Sequence, residues 1–70
     1  MKAEIGKKYR HYKGNEYEVL HIAKHTETEE ELVIYRAVKD QEKIWARPRE
    51  MFEEEVEVEE KMMLRFTPVE

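Results

Sequence analysis

The stretch YEVLHIAKHTETEEELVIYRAV, residues 17–38, decides the fold class. Its two ends, residues 17–25 and 32–38, are rich in the β-branched and aromatic side chains that favour strands. The acidic cluster between them, residues 26–31, is short enough to form a single loop. The stretch therefore predicts two strands that pair across a tight connection.

Further strand-like segments lie on the C-terminal side of this stretch. Residues 43–47 (KIWAR) form a strand that Pro48 stops, because proline cannot donate to a ladder. The alternation in residues 56–58 (VEV), followed by residues 63–66 (MLRF), predicts a final hairpin. One short helical turn is expected near residues 48–52. About five short strands predict an all-β chain, a small antiparallel barrel or roll, folded as one domain over residues 1–70.

The loops set a predicted register. A two-residue turn at Gly14 and Asn15 suits a type II′ hairpin. Loops at residues 26–30 and 39–43 place Tyr35 opposite His21 and Arg47. Because side chains alternate across a sheet, two largely apolar faces result. One face holds Leu20, Ile22, Leu32, Ile34, Val38, Ile44 and Ala46. The other holds Tyr17, Val19, His21, Ala23, Val33, Tyr35, Ala37, Trp45 and Arg47.

Two apolar faces cannot both be left bare, because monomers rarely expose large apolar patches. One face is expected to line the barrel, and the other to lie under the terminal segments or a partner. Trp45 is predicted to fill the core opposite the small Ala37. Arg47 is predicted to mark the rim, with its stem along the indole and its guanidinium in water.

The composition bounds the environment. The 70 residues carry a net charge of −4, 43% of them are charged, and none is cysteine. Disulfides and thiolate metal sites are thereby excluded, which suits a reducing cytosol. We find no signal-peptide pattern and no apolar run of about 18 residues, so we expect a cytoplasmic protein without a membrane segment. A monomer or a weak homodimer is expected.

Several short motifs follow one another along the chain, at Tyr9, His11, Lys13, Gly14, Tyr17, Val19, Ala23, His25, Val33, Tyr35, Trp45, Arg47, Pro48, Met51, Phe52, Arg65 and Phe66. Their order and spacing resemble those of a small bacterial family, domain-of-unknown-function family 1653. The resemblance covers roughly residues 7–66 and implies an SH3-like barrel or roll, but no activity. One position departs from the family pattern, since Glu60 stands where the family usually has a glycine in the last hairpin turn. A left-handed backbone there would strain Glu60.

The sequence contains few of the residue types that catalysis commonly uses. The chain has no serine, no cysteine and no glycine-rich phosphate loop, so no catalytic residue is assigned. On a strand, His21 and His25 would lie about 13 Å apart, too far to share one zinc ion. We therefore expect no metal site, no cofactor and no enzyme activity.

Binding is the function that the sequence favours. The leading hypothesis is a non-enzymatic module that recognises a protein or peptide. The first alternative is a nucleic-acid-binding module that uses the basic and aromatic segment 36–49, although the net charge of −4 counts against it. The second is a small-molecule-binding or enzymatic domain. The candidate ligand-binding residues are Tyr9, His11, Tyr35, Trp45, Arg47 and Arg49.

Overall fold

Seven strands and one short helix make up the protein in a computed structural model, which describes residues 2–69. The strands are β1 (Lys8–His11), β2 (Glu16–Lys24), β3 (Glu31–Ala37), β4 (Ile44–Pro48), β5 (Glu55–Val58), β6 (Lys61–Leu64) and β7 (Phe66–Pro68). The helix α1 (Arg49–Glu53) lies between β4 and β5. The predicted all-β class, the helical turn near residues 48–52 and the strand at residues 56–58 are confirmed.

Five of the strands form one antiparallel sheet in the order β4-β3-β2-β1-β7. Strands β5 and β6 pair as a separate hairpin. Because β4 and β7 both remain edges, the sheet does not close into a barrel. The segment predicted as one strand at residues 63–66 is instead divided at Arg65, which ends β6 and lets β7 return to pair with β1.

The register between β2 and β3 corrects the predicted pairing. A bulge between Val19 and His21 inserts one extra residue into β2, so Val19 pairs with Tyr35 and His21 with Ile34. The predicted pairing of His21 with Tyr35 is therefore wrong. The extra residue also reverses the alternation beyond it, which turns Ile22 toward the core and leaves His21 exposed.

The other two registers also differ from the prediction. Strand β4 pairs Tyr35 with Trp45 and Val33 with Arg47, a shift of two residues that keeps these side chains on the predicted face. The first turn contains three residues, since the N–H of His11 donates to the carbonyl of Asn15. Gly14 lies third in that loop, with φ +110°, so the predicted two-residue type II′ turn is wrong. A three-residue loop that ends on a left-handed glycine is the common alternative.

The core lies on one face of the sheet. Val33 and Tyr35 of β3 and Val19 of β2 point into it, as predicted. Phe52 of α1 and Phe66 of β7 complete it, with stacked rings whose centroids lie 4.0 Å apart. Burying such side chains contributes roughly 1.5–3 kcal/mol each to folding. The opposite face, which includes Leu20, Leu32, Ile34 and Ile44, is left partly exposed within residues 2–69.

The β5–β6 hairpin is attached at its base by one arginine. The Arg65 guanidinium donates to the Met51 carbonyl at 3.0 Å and to the Glu54 carboxylate at 2.7 Å. At the other end, Glu59 and Glu60 form the turn with φ of +50° and +67°. The conditional prediction for Glu60 is confirmed, because its backbone is left-handed.

Candidate functional site

Trp45 lies at the edge of the sheet and not in the core. Its side chain is 41% exposed, although its ring contacts Tyr17 and Tyr35 at centroid distances of 5.6 and 6.0 Å. The predicted core position is wrong because β4 is an edge strand and the core volume is already filled by Phe52 and Phe66. The indole therefore rests on the aromatic core with one side open.

Arg47 lies two residues further along β4, on the same face. Its Nε–H donates to the Tyr35 hydroxyl at 3.2 Å, and its guanidinium carbon lies 5.7 Å from the centre of the Phe66 ring. The side chain is partly buried, as expected for a rim position. A guanidinium over an aromatic ring is held by a cation–π attraction, which fixes its direction.

Arg47 differs from the other four arginines of the chain. Within residues 2–69 it forms no ion pair, whereas each of the others is paired with at least one glutamate. The pairs are Arg10 with Glu16, Arg36 with Glu18, Arg49 with Glu31 and Glu53, and Arg65 with Glu54. The positive charge of Arg47 is thus not matched by a nearby carboxylate of the described chain.

His11 approaches the same place from β1. Its ring packs edge-on against Phe66 at 5.0 Å, and its Nδ1 accepts a hydrogen bond from the Lys13 N–H at 3.2 Å. Burial lowers the pKa of His11 below its ordinary value, and the charges of Arg47, Arg65 and Lys13 lower it further. The ring is therefore kept neutral to a lower pH than a free histidine.

These residues surround a small cavity of about 150 Å³. A second cavity of about 180 Å³ lies on the other side of Trp45 and Tyr17, next to Lys39, Asp40 and Lys43. The two rings thus form a ridge between two depressions. The first cavity, hereafter the Arg47 cavity, is lined by His11, Tyr17, Tyr35, Trp45, Arg47 and Phe66.

Two of the predicted ligand-binding residues lie elsewhere. Tyr9 is 1% exposed, and its hydroxyl accepts a hydrogen bond from the Glu4 N–H at 2.9 Å. Arg49 binds Glu53 and Glu31 and also donates to the Ala3 carbonyl at 3.3 Å. Both residues hold the N-terminal segment and α1 in place, and neither lines the Arg47 cavity.

The Arg49 ion pair affects the pKa of its partner, Glu53. Burial alone raises the pKa of Glu53, but the hydrogen bond from the Ala3 N–H and the attraction of Arg49 outweigh it, so the pKa is lowered overall. The Glu53 hydrogen bond in turn raises the pKa of Arg49. The carboxylate therefore stays ionised at neutral pH and ties α1 to the start of the chain.

Sequence reasoning missed two residues of the Arg47 cavity, Tyr17 and Phe66. The alternation of side chains predicts Tyr17 on the same face as Trp45, so the sequence contains the information needed to find it. Phe66 comes from β7, the last strand of the sheet. Its position depends on the return of the chain to β1, which no local pattern announces.

The sequence and the fold both have relatives. The family model described as "Protein of unknown function (DUF1653)" matches residues 7–68. The chain belongs to the DUF1653 family. A crystal structure of a DUF1653 protein from Bordetella bronchiseptica has 29% sequence identity and a TM-score of 0.82, over 94% of this chain and 87% of that one. No curated protein matches the sequence. The predicted membership in this family is confirmed.

Proposed function

We propose that this DUF1653 protein is a non-enzymatic binding module that recognises an extended peptide segment of another protein along β4. The observation that carries the proposal is the half-exposed Trp45, held by Tyr17 and Tyr35 on the strand at the edge of the sheet. An aromatic residue with one open side, next to a guanidinium, has the composition of an interaction hot spot.

The free edge of β4 supports an extended ligand. The Ala37 N–H donates directly to the Lys43 carbonyl, which makes these two residues a hydrogen-bonded pair. Because such pairs alternate along an antiparallel ladder, Trp45 and Arg47 turn their backbone groups toward β3. Ile44 and Ala46 turn theirs outward, where another strand can pair with them. Both residues are exposed.

The spacing of the site also suits a strand. Side chains two residues apart on an added strand project from the same face at intervals of about 6.6 Å. Trp45 and Arg47 have this separation on β4, and the two cavities lie on either side of the indole. Backbone pairing would supply affinity, and the alternate side chains of the ligand would supply specificity.

Nucleic-acid binding remains the alternative, and the ion pairs weigh against it. Two arginines of the segment 36–49 are already paired, Arg36 with Glu18 and Arg49 with Glu31 and Glu53. Clustered unpaired cations are what phosphate binding requires. We expect negligible affinity for duplex DNA at physiological salt, and micromolar binding with a steep salt dependence would favour the alternative.

We place the module in the cytoplasm as part of the same proposal, on the absence of cysteine from the sequence. The single helix of residues 2–69 is too short to cross a membrane. A monomer or a weak homodimer is compatible with the proposed site, provided that β4 stays accessible.

The proposal is tested by selecting ligands from a displayed library of random peptides. The wild-type protein should enrich peptides whose binding is lost in Trp45→Ala and in Ala46→Pro, which removes an outward N–H of β4. Ala46→Val keeps that N–H and is the matched control. Ile5→Ala controls for the loss of an exposed apolar side chain, because Ile5 is 59% exposed and lies outside the site. Enrichment of no peptide, or equal binding by Trp45→Ala, would refute the proposed function.

A further inference from the structure

The Arg47 cavity is rich in hydrogen-bond donors and is lined by no carboxylate. We infer that this cavity binds a carboxylate group of the peptide ligand, supplied either by an acidic side chain or by a free C-terminus. The inference rests on the proposed function and adds the chemical class of the ligand. It is carried by the geometry of two side chains, Arg47 and His11.

Arg47 offers its two terminal nitrogens to this ligand. Its Nε–H is occupied by the Tyr35 hydroxyl, and the Phe66 ring supports the plane of the guanidinium. Within residues 2–69 the terminal nitrogens have no hydrogen-bond acceptor and no ion-pair partner. Two parallel N–H groups on a rigid fork match the two oxygens of a carboxylate.

His11, which also lines the cavity, offers a second donor. Because its Nδ1 accepts the Lys13 N–H, the proton of the neutral ring lies on Nε2. A neutral His11 can therefore donate once from Nε2. Protonation places a hydrogen on Nδ1, so His11 gives up the hydrogen bond from Lys13 and gains a positive charge. Since Nδ1 already accepts a bond, the second nitrogen is the one left for a ligand.

The charged groups that lower the pKa of His11 are all positive, and one of them is already paired with a carboxylate. Arg47 approaches from β4, Lys13 from the first turn, and Arg65 from the junction of β6 and β7. Arg65 is itself paired with Glu54. A bound anion would offset these charges and favour protonation of the ring, so binding and proton uptake would be linked.

The cavity volume of about 150 Å³ limits what can enter. A carboxylate with a small apolar group behind it, up to the size of one phenyl ring, fits that volume, whereas a nucleotide does not. The aromatic lining formed by Tyr17 and Trp45 would cover the carbon atoms of the ligand, while Arg47 and His11 meet its oxygens. An anionic group with a short apolar stem is the best match to this lining.

The experiment uses sodium benzoate and benzamide as matched probes, because both carry the same ring and only benzoate is an anion. Binding is followed by ¹H–¹⁵N correlation spectra at constant ionic strength, with the indole resonance of Trp45 as the reporter. Benzoate should bind with a Kd on the order of a few millimolar, as expected for a fragment of this size. Benzamide should bind about tenfold more weakly.

Variants then test the residues. Arg47→Gln should reduce benzoate binding to the level of benzamide, and Arg47→Lys should lie between, because it keeps the charge without the fork. Arg36→Gln removes one positive charge from the opposite face of the sheet, outside the cavity lining, and should leave benzoate binding unchanged. Lowering the pH from 7.5 to 5.5 should strengthen benzoate binding about threefold or more in the wild type but not in His11→Gln.

The source of the carboxylate is distinguished by two further probes. Acetyl-Phe-Ala with a free C-terminus carries a terminal carboxylate, and the amide of acetyl-Phe-Glu carries only a side-chain carboxylate. Tighter binding of one identifies the source, and binding of both keeps the shared chemistry. Equal affinity for benzoate and benzamide, or absence of benzoate binding at 50 mM, would overturn the inference. Neither result would contradict the proposed function, because the peptide selection tests that function separately.

Discussion

The turn of the β5–β6 hairpin provides a prediction that can be worked out in detail. Glu59 and Glu60 both have positive φ, which is the geometry of a type I′ turn and one that favours Asn and Gly. A side chain in the left-handed region costs roughly 1–2 kcal/mol. Glycine avoids this cost but gives up about 0.5–1 kcal/mol of conformational entropy. Glu60→Gly should therefore stabilise the hairpin by about 0.5–1 kcal/mol.

The assay has to separate the backbone from the charge. Glu60→Ala removes the same negative charge but keeps the Cβ atom, so the difference between the glycine and alanine variants isolates the strain. If the hairpin unfolds with the sheet, the glycine variant should melt about 2–8 °C higher than the alanine variant. Because β5 and β6 pack mainly on each other, the hairpin can also open locally while the sheet stays folded.

Hydrogen exchange detects such local opening of the hairpin. The amides of β5 and β6 should exchange about two to five times more slowly in Glu60→Gly than in Glu60→Ala, even where the melting temperature does not move. If the alanine variant equals or exceeds the glycine variant in both measurements, the left-handed turn carries no strain and the reasoning fails.

Three further predictions concern the core, the helix and the cavity. Phe66→Ala, at a fully buried position, should lower the free energy of unfolding measured in urea by about 3–5 kcal/mol. Trp45→Ala should lower it clearly less, because the indole is already partly exposed. Equal losses would contradict the edge position of Trp45. Glu53→Gln should destabilise the protein at neutral pH and weaken the dependence of its unfolding free energy on acidic pH. The reason is that a carboxyl group whose pKa is lowered by folding stabilises the protein above its unfolded-state pKa, and this stabilisation is lost as the pH falls through its folded-state pKa. Because folding lowers the pKa of His11 below its ordinary value of 6.5, the stability of the protein should decrease as the pH falls through that value, and His11→Gln should remove that slope.

The sheet could be predicted from the sequence because its signals are local. Residues 17–25 and 32–38 combine a strand-forming composition with alternation of side chains. Both properties can be recognised without knowing which strands pair. The face of the sheet that carries Val19, Val33 and Tyr35 was predicted correctly for the same reason. An error of two residues in the β3–β4 register left the parity of Trp45 and Arg47 unchanged.

The parts that could not be predicted depend on contacts between distant segments. The bulge between Val19 and His21 has no distinctive residue to announce it, and it exchanged the positions of His21 and Ile22. The burial of Trp45 was overestimated because edge and central strands have the same local composition. Of the six candidate binding residues, four meet around the Arg47 cavity, namely His11, Tyr35, Trp45 and Arg47. The other two, Tyr9 and Arg49, serve the core and the helix.

The free edge of β4 also bears on solubility. The outward-facing position after Ile44 and Ala46 is Pro48, and a proline has no N–H to offer. On the opposite edge, the Val69 N–H donates to the Lys8 carbonyl, and the same alternation turns Pro68 of β7 outward. The chain has two prolines, and each limits one edge of the five-stranded sheet. Strand pairing between copies would meet a missing donor on either side, so this small open sheet is protected from growing end to end into fibrils while a short stretch of β4 stays available.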